Sequence, residues 1–266
     1  MLHSVMIALL LAVLPTTHAA WAQPTSCRIN KRAACGTYSP YVIKPNAALA
    51  SRSSAPMLLT RGIGEGRELP APSGINTQPK AVQAGIVIAI LAAIAGGTFV
   101  IAGPFFDALR GSGAWNFSRP TWPLIGVIYL VAGVAHFTEL EGFENITPPN
   151  GTWGFWYTPF SPKFNVIWTG VVEVLAGAAL LLGWLLPLAG VALPPPLSSV
   201  VSDAALALML LTAVVTPANI YALTHGANFP LEVETPPVAH AVRLAFQSLL
   251  LAMFYEMARP TIDAFL

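Results

Sequence analysis

The sequence predicts an all-α fold, a polytopic transmembrane helical bundle, and two observations carry this. The chain of 266 residues is 55% hydrophobic and only 9% charged, with a mean hydropathy of +0.65. A soluble domain carries about 25% charged residues to solvate its surface, so the bilayer is the solvent these proportions fit. Five apolar segments, each near the ~20 residues that cross ~30 Å of hydrocarbon as a helix, follow an N-terminal region of different character. The net charge of +1, with no Lys/Arg cluster outside that N-terminal region, speaks against a nucleic-acid partner.

Residues 1–22 read as a signal peptide: an uncharged apolar run from Val5 to Leu14, too short to span, then Pro15 and the small-residue pattern around Ala20 and Ala22. Residues 23–64 hold Arg28, Lys31, Arg32, Lys44, Arg52 and Arg61 among Ser, Thr, Ala and Pro, with no acidic residue before Glu65. That is the composition of a transit peptide. The alternative is a disordered basic tail of a secretory-pathway protein. Cys27 and Cys35 fall in this segment, so removing it near Ala55 to Met57 leaves no thiol for dithiol chemistry or metal ligation. Residues 65–81 read as a linker.

The apolar segments are Val82 to Gly103, Trp122 to Thr138, Val166 to Leu188, Val200 to Leu223 and Val238 to Ala258, leaving 259–266 as a tail. Connections rich in Pro and Trp, such as Pro148-Pro149 and Pro194-Pro195-Pro196, read as turns at the membrane surface. The first segment carries no ionisable group and reads as a peripheral addition. Gly126 and Gly133 in the second segment, and Gly170 and Gly177 in the third, recur at one helical face and predict close backbone approach.

Alternate crossings place the ends of the second and fourth helices and the starts of the third and fifth on one membrane side, here face X. His136, Glu139, Glu141, Glu144, Asn219, His225, Glu232, Glu234, His240 and Arg243 fall there, with Glu173 about two turns into its helix. The opposite face receives the sparser set Asp107, Arg110, Arg119, Asp203, Glu256 and Arg259. His240, Arg243 and Gln247 form one helical stripe, and Gly126, Tyr129, Gly133 and His136 another. A carboxylate at the depth of Glu173 needs a partner, and the expectation is an ion pair with Arg243, extended by His136, Asn219 and His240. Tyr129, Glu139 and His225 are secondary candidates. Two readings of this cluster stand side by side, a ligand site and a brace holding helices in register. No Glu-x-x-His or His-x-x-x-His pair occurs, so neither a metal nor a haem site is expected.

At these residues the sequence resembles the DoxX family of small integral membrane proteins. The resemblance rests on Gly133-Val134-Ala135-His136-Phe137, the Pro-rich stretch around Pro148, Gly170-Val171-Val172-Glu173-Val174, Pro217-Ala218-Asn219-Ile220, and His240-Ala241-Val242-Arg243-Leu244 before Gln247. It covers Trp122 to about Met257 and implies a four-helix DoxX-like core (122–258), with one additional N-terminal transmembrane helix (82–103). The insert with Trp153, Trp156 and Tyr157 departs from the family pattern. The leader, a signal followed by a transit-like segment, resembles the bipartite leaders of plastid proteins in algae with secondary plastids. The resemblance implies a noncatalytic membrane subunit or anchor of a redox or photosynthetic complex in a thylakoid or envelope membrane. It also implies a quinone head-group site and a membrane-protein partner or homo-oligomer. Fold-level analogy leaves other functions open, namely a small-solute or proton transporter, or a membrane-protein assembly factor.

No nucleotide-binding loop or cluster-ligand pattern is evident, so electrons would come from another subunit. Sequons at Asn116, Asn145 and Asn150 predict a glycan if the destination is the secretory pathway or plasma membrane. Short-loop Lys and Arg counts do not fix the orientation.

Overall fold

The computed structural model describes residues 70–112, 123–192, 199–227 and 235–266, all within one unit spanning Thr60–Leu266. The signal and transit-like segments, Cys27, Cys35, Arg119, the Asn116 sequon, Glu232 and Glu234 lie outside the described residues. Helices α1 (Lys80–Val100) and α2 (Phe106–Gly111) are joined through a π-helical turn, Ile101–Phe105. α3 (Pro123–Thr138) and the short α4 (Leu140–Asn145) follow, then α5 (Pro162–Leu188), α6 (Val200–His225) and α7 (Pro237–Phe265). The π turn contains Pro104, which has no N–H to give to the helix ladder, and the widened turn absorbs that loss.

Four helices are long and apolar enough to cross a membrane: Lys80–Gly111, Pro162–Leu188, Val200–His225 and Pro237–Phe265. α3, with 16 residues, covers only ~24 Å at the helical rise. It stops at Glu139, whose backbone (φ −117°, ψ 40°) leaves the helical region before α4 resumes. α7 continues about two turns past Ala258, where the apolar stretch ends. Thr261 Oγ1 lies 2.6 Å from Ser202 Oγ and 2.7 Å from Asp203 Oδ1 of α6, its one hydrogen shared between them, and Arg259 lies 3.6 Å from Glu256, so polar contacts extend the helix where hydropathy does not.

The outward faces of α3 and α5 carry Val127, Val131, Val134, Val171, Leu175 and Leu182, all exposed, Leu175 by 65%. Such faces suit hydrocarbon and would be costly in water. Inside, Ile125, Ala176, Leu180, Ala205, Leu208, Ala252, Phe254 and Met257 form the main apolar core. The expected glycine seam joins α3 to α5. A Cβ on Gly133 would sit 2.7 Å from Val174 N, and one on Gly177 would sit 2.7 Å from Leu130 N and 2.8 Å from Gly126 O.

α1 docks on α7, where a Cβ on Gly97 would meet Ser248 Oγ at 2.9 Å and Ser248 itself donates to Ile94 O at 3.2 Å. At the end opposite face X, Arg110 bonds Glu256 at 2.7 Å and also pairs with Asp107. These contacts join three of the charges that crossing parity assigned to that end, Asp107, Arg110 and Glu256.

The α4–α5 connection closes the other end. Trp153, only 1% exposed, packs with Val87, Ile94, Ile220, Tyr221 and Leu244. Its indole N–H donates to Thr224 Oγ1 at 3.0 Å. Its backbone is left-handed (φ 56°), a conformation that costs a non-glycine residue about 1–2 kcal/mol and that indole burial offsets. We expect Trp153→Phe, which keeps a ring and loses the donor, to destabilise by about 1–2 kcal/mol in detergent melting. An unchanged Tm would show that the Thr224 bond contributes nothing.

Candidate functional site

Four helices position the polar cluster. α3 brings Tyr129 and His136, α5 brings Glu173, α6 brings Asn219, and α7 brings His240, Arg243 and Gln247. Packing divides these residues into two parts with different chemistry.

The first part is a chain of hydrogen bonds between α7, α6 and α3. Arg243 Nη2 donates to Asn219 Oδ1 at 3.2 Å, and Asn219 Nδ2 donates to Gln247 Oε1 at 2.8 Å. Gln247 Nε2 then donates to Thr212 O and to Thr216 Oγ1, both at 2.8 Å. Thr212 Oγ1 shares a hydrogen bond of 3.1 Å with the Tyr129 hydroxyl. Gln247, 6% exposed, thus has its amide oxygen and amide nitrogen both engaged. From Arg243 through Asn219 to Gln247 the donors run in one direction and polarise one another. This is a fully built brace.

The second part is an open pair. Glu173, 8% exposed, sits between Gly170 and Gly177 on the face of α5 that docks against α3. Its Oε2 lies 3.3 Å from His136 Nδ1, yet that oxygen makes no hydrogen bond. The reason is that His136 Nδ1 is bonded at 2.9 Å to Ala132 O one turn back. A carbonyl only accepts, so Nδ1 carries the hydrogen and spends it there. The imidazole stacks on Phe143 of α4 at 3.9 Å.

The expected Glu173/Arg243 ion pair does not form. Glu173 faces α3 and His136, whereas Arg243 is directed at α6 and Asn219. His240, 5% exposed, lies one turn from Arg243 on α7. Glu139 is exposed at the break between α3 and α4. His225 belongs to a separate aromatic group. Its Nδ1 is 2.8 Å from Thr224 Oγ1 and its ring stacks on Tyr221 at 4.7 Å, with Trp153 edge-on at 6.2 Å.

Thr212 and Thr216 are members of the brace that sequence reasoning missed, although with Asn219 they form a stripe at helical spacing on α6. Phe143 sits in the six-residue α4 and Trp153 in the α4–α5 connection, both too short for a periodicity that would mark them.

Among the described residues two other buried side-chain oxygens lack a hydrogen bond, Gln83 Oε1 and Glu256 Oε1. Gln83 uses its nitrogen on Asn76 O and Gln78 O, and Glu256 uses its second oxygen on Arg110. Glu173 differs because its one close polar neighbour is a donor already committed elsewhere. No group of three His, Cys, Asp or Glu side chains arranged to hold a metal occurs among the described residues. Comparisons with protein-family models, curated proteins and solved structures find no match to this chain. The functional reading therefore rests on the geometry.

Proposed function

We propose that this chain is an integral membrane protein of DoxX-like architecture. In this reading it serves as a noncatalytic subunit or anchor of a redox complex in a plastid membrane and offers a quinone head-group site inside its bundle. The observation that carries it is Glu173: a carboxyl buried in an apolar helix pair, beside His136, with no hydrogen bond to its Oε2. Ionisable groups at such depth are expensive when they serve only structure, and the neighbouring brace already supplies the structural polar contacts. A quinone-type head group would be held by Glu173 and His136, whose carboxyl and imidazole are the polar groups here that are free to meet it, and the aromatic surface of Phe143 suits a flat ring. When bound, a quinone supplies two-electron, two-proton chemistry. The chain's own part is to hold and orient the head group and to keep water from it.

The test is purification of the native complex in mild detergent, followed by mass spectrometry of proteins and extracted lipids. A redox or photosynthetic partner and a co-purifying quinone are expected. A chain that migrates alone with no quinone overturns the reading. A second reading, a small-solute or proton transporter, is favoured by the same unpartnered carboxyl. It predicts that liposome flux collapses in Glu173→Gln, and flux equal to that of the parent chain removes it.

A further inference from the structure

We infer that the Glu173/His136 pair recognises the hydroxyl form of an uncharged ring, a hydroquinone-type head group, in preference to its carbonyl form. This rests on the head-group reading above and adds to it which redox form the site holds.

The argument is a census of donors and acceptors. His136 Nδ1 donates to Ala132 O at 2.9 Å, so a neutral ring presents Nε2 as a bare acceptor, and no hydrogen bond to Nε2 occurs among the described residues. Glu173 adds two oxygens, of which Oε2 is buried and unbonded. The nearby amide donors are committed: Gln247 Nε2 goes to Thr212 and Thr216, and Asn219 Nδ2 goes to Gln247. The Tyr129 hydroxyl is engaged with Thr212 Oγ1 at 3.1 Å, a bond in which either oxygen can donate. If Glu173 carries a proton it supplies one donor, and acceptors still outnumber donors. A ligand carbonyl would add another acceptor to a site already rich in them. A ligand hydroxyl supplies the missing donor and removes the unsatisfied buried group.

Shape narrows the class further. The stacked rings of His136 and Phe143, 3.9 Å apart, favour a flat aromatic head over an aliphatic alcohol.

Equilibrium dialysis of the purified chain in nanodiscs, under anaerobic conditions, tests this with a short-chain benzoquinone and its hydroquinone as probes. The hydroquinone is expected to bind at least about tenfold more tightly, the scale of one to two hydrogen bonds. Glu173→Leu and His136→Phe are expected to shrink that preference to within about twofold. Tm in detergent shows whether these variants are folded, and if either is not, Glu173→Gln, which restores a donor to the site, is expected to shift the preference toward the quinone. Equal or tighter binding of the quinone by the parent chain overturns the inference and leaves the head-group reading standing. Binding of neither probe overturns both. Displacement of the hydroquinone by tetraphenylphosphonium, lost in Glu173→Leu, shows a cation site and overturns the inference in favour of transport.

Discussion

The double variant Gly133→Ala/Gly177→Ala is expected to lower the detergent Tm by roughly 5–15 °C, corresponding to about 2–5 kcal/mol at ~2–4 °C per kcal/mol. The reason is the identity of the atoms in the way. A methyl on Gly133 meets Val174 N at 2.7 Å and Glu173 Cβ at 2.9 Å, and one on Gly177 meets Leu130 N at 2.7 Å. Backbone atoms cannot rotate aside, so α3 and α5 must separate along their whole seam. The outward faces give nothing back, since lipid solvates them equally well at either spacing. Both sites strain the same seam, so the double variant is expected to fall short of the sum of the singles. Gly96→Ala and Gly103→Ala serve as controls, because a methyl at either position meets nothing within 4 Å. Their Tm should stay level or rise slightly, as alanine is the better helix former. Equal losses at all four positions would show that the close approach is not what the glycines provide.

The same seam shows how far the sequence reaches. Helix positions were legible because a bilayer demands apolar runs of fixed length, and the glycine faces were legible because a spacing of seven repeats on one side of a helix. The expected Glu173/Arg243 pair failed although the information against it was present. Glu173 shares its face with Gly170 and Gly177, and a face that docks α3 cannot also point at Arg243 on α7. Depth and charge suggested a partner, but the azimuth around the helix decided it. Thr216 was invisible for another reason: a helical threonine ordinarily bonds the carbonyl four residues back, as Thr216 does at 2.8 Å, and only the register of Gln247 gives it a second role. Trp153 could not have been found by periodicity at all. It lies in a connection, and its burial follows from the apolar side chains of α1, α6 and α7 that meet there, Val87, Ile220 and Leu244 among them.

Gln247→Leu and Glu173→Leu, both conversions of a buried polar side chain to an apolar one, are expected to move stability in different directions. Gln247→Leu removes the acceptor of Asn219 Nδ2 and the donors to Thr212 O and Thr216 Oγ1. Unsatisfied buried groups cost about 1–3 kcal/mol each, moderated inside a membrane where the loosened chain finds other partners, so a loss of about 2–4 kcal/mol is expected. Thermal melts should show this as a drop of roughly 4–15 °C. Glu173→Leu removes a carboxyl with no hydrogen bond to its buried oxygen, so no native contact is forfeited beyond the 3.3 Å approach to His136. Its desolvation burden disappears and apolar contact replaces it, giving an unchanged or higher Tm. A Glu173→Leu variant as unstable as Gln247→Leu would make Glu173 a structural member of the bundle and remove the basis for a ligand there. The contrast bears directly on function. A group that weakens the free protein and sits beside a saturated network is what a ligand site looks like before its ligand arrives, because stability and binding draw on the same unsatisfied atoms.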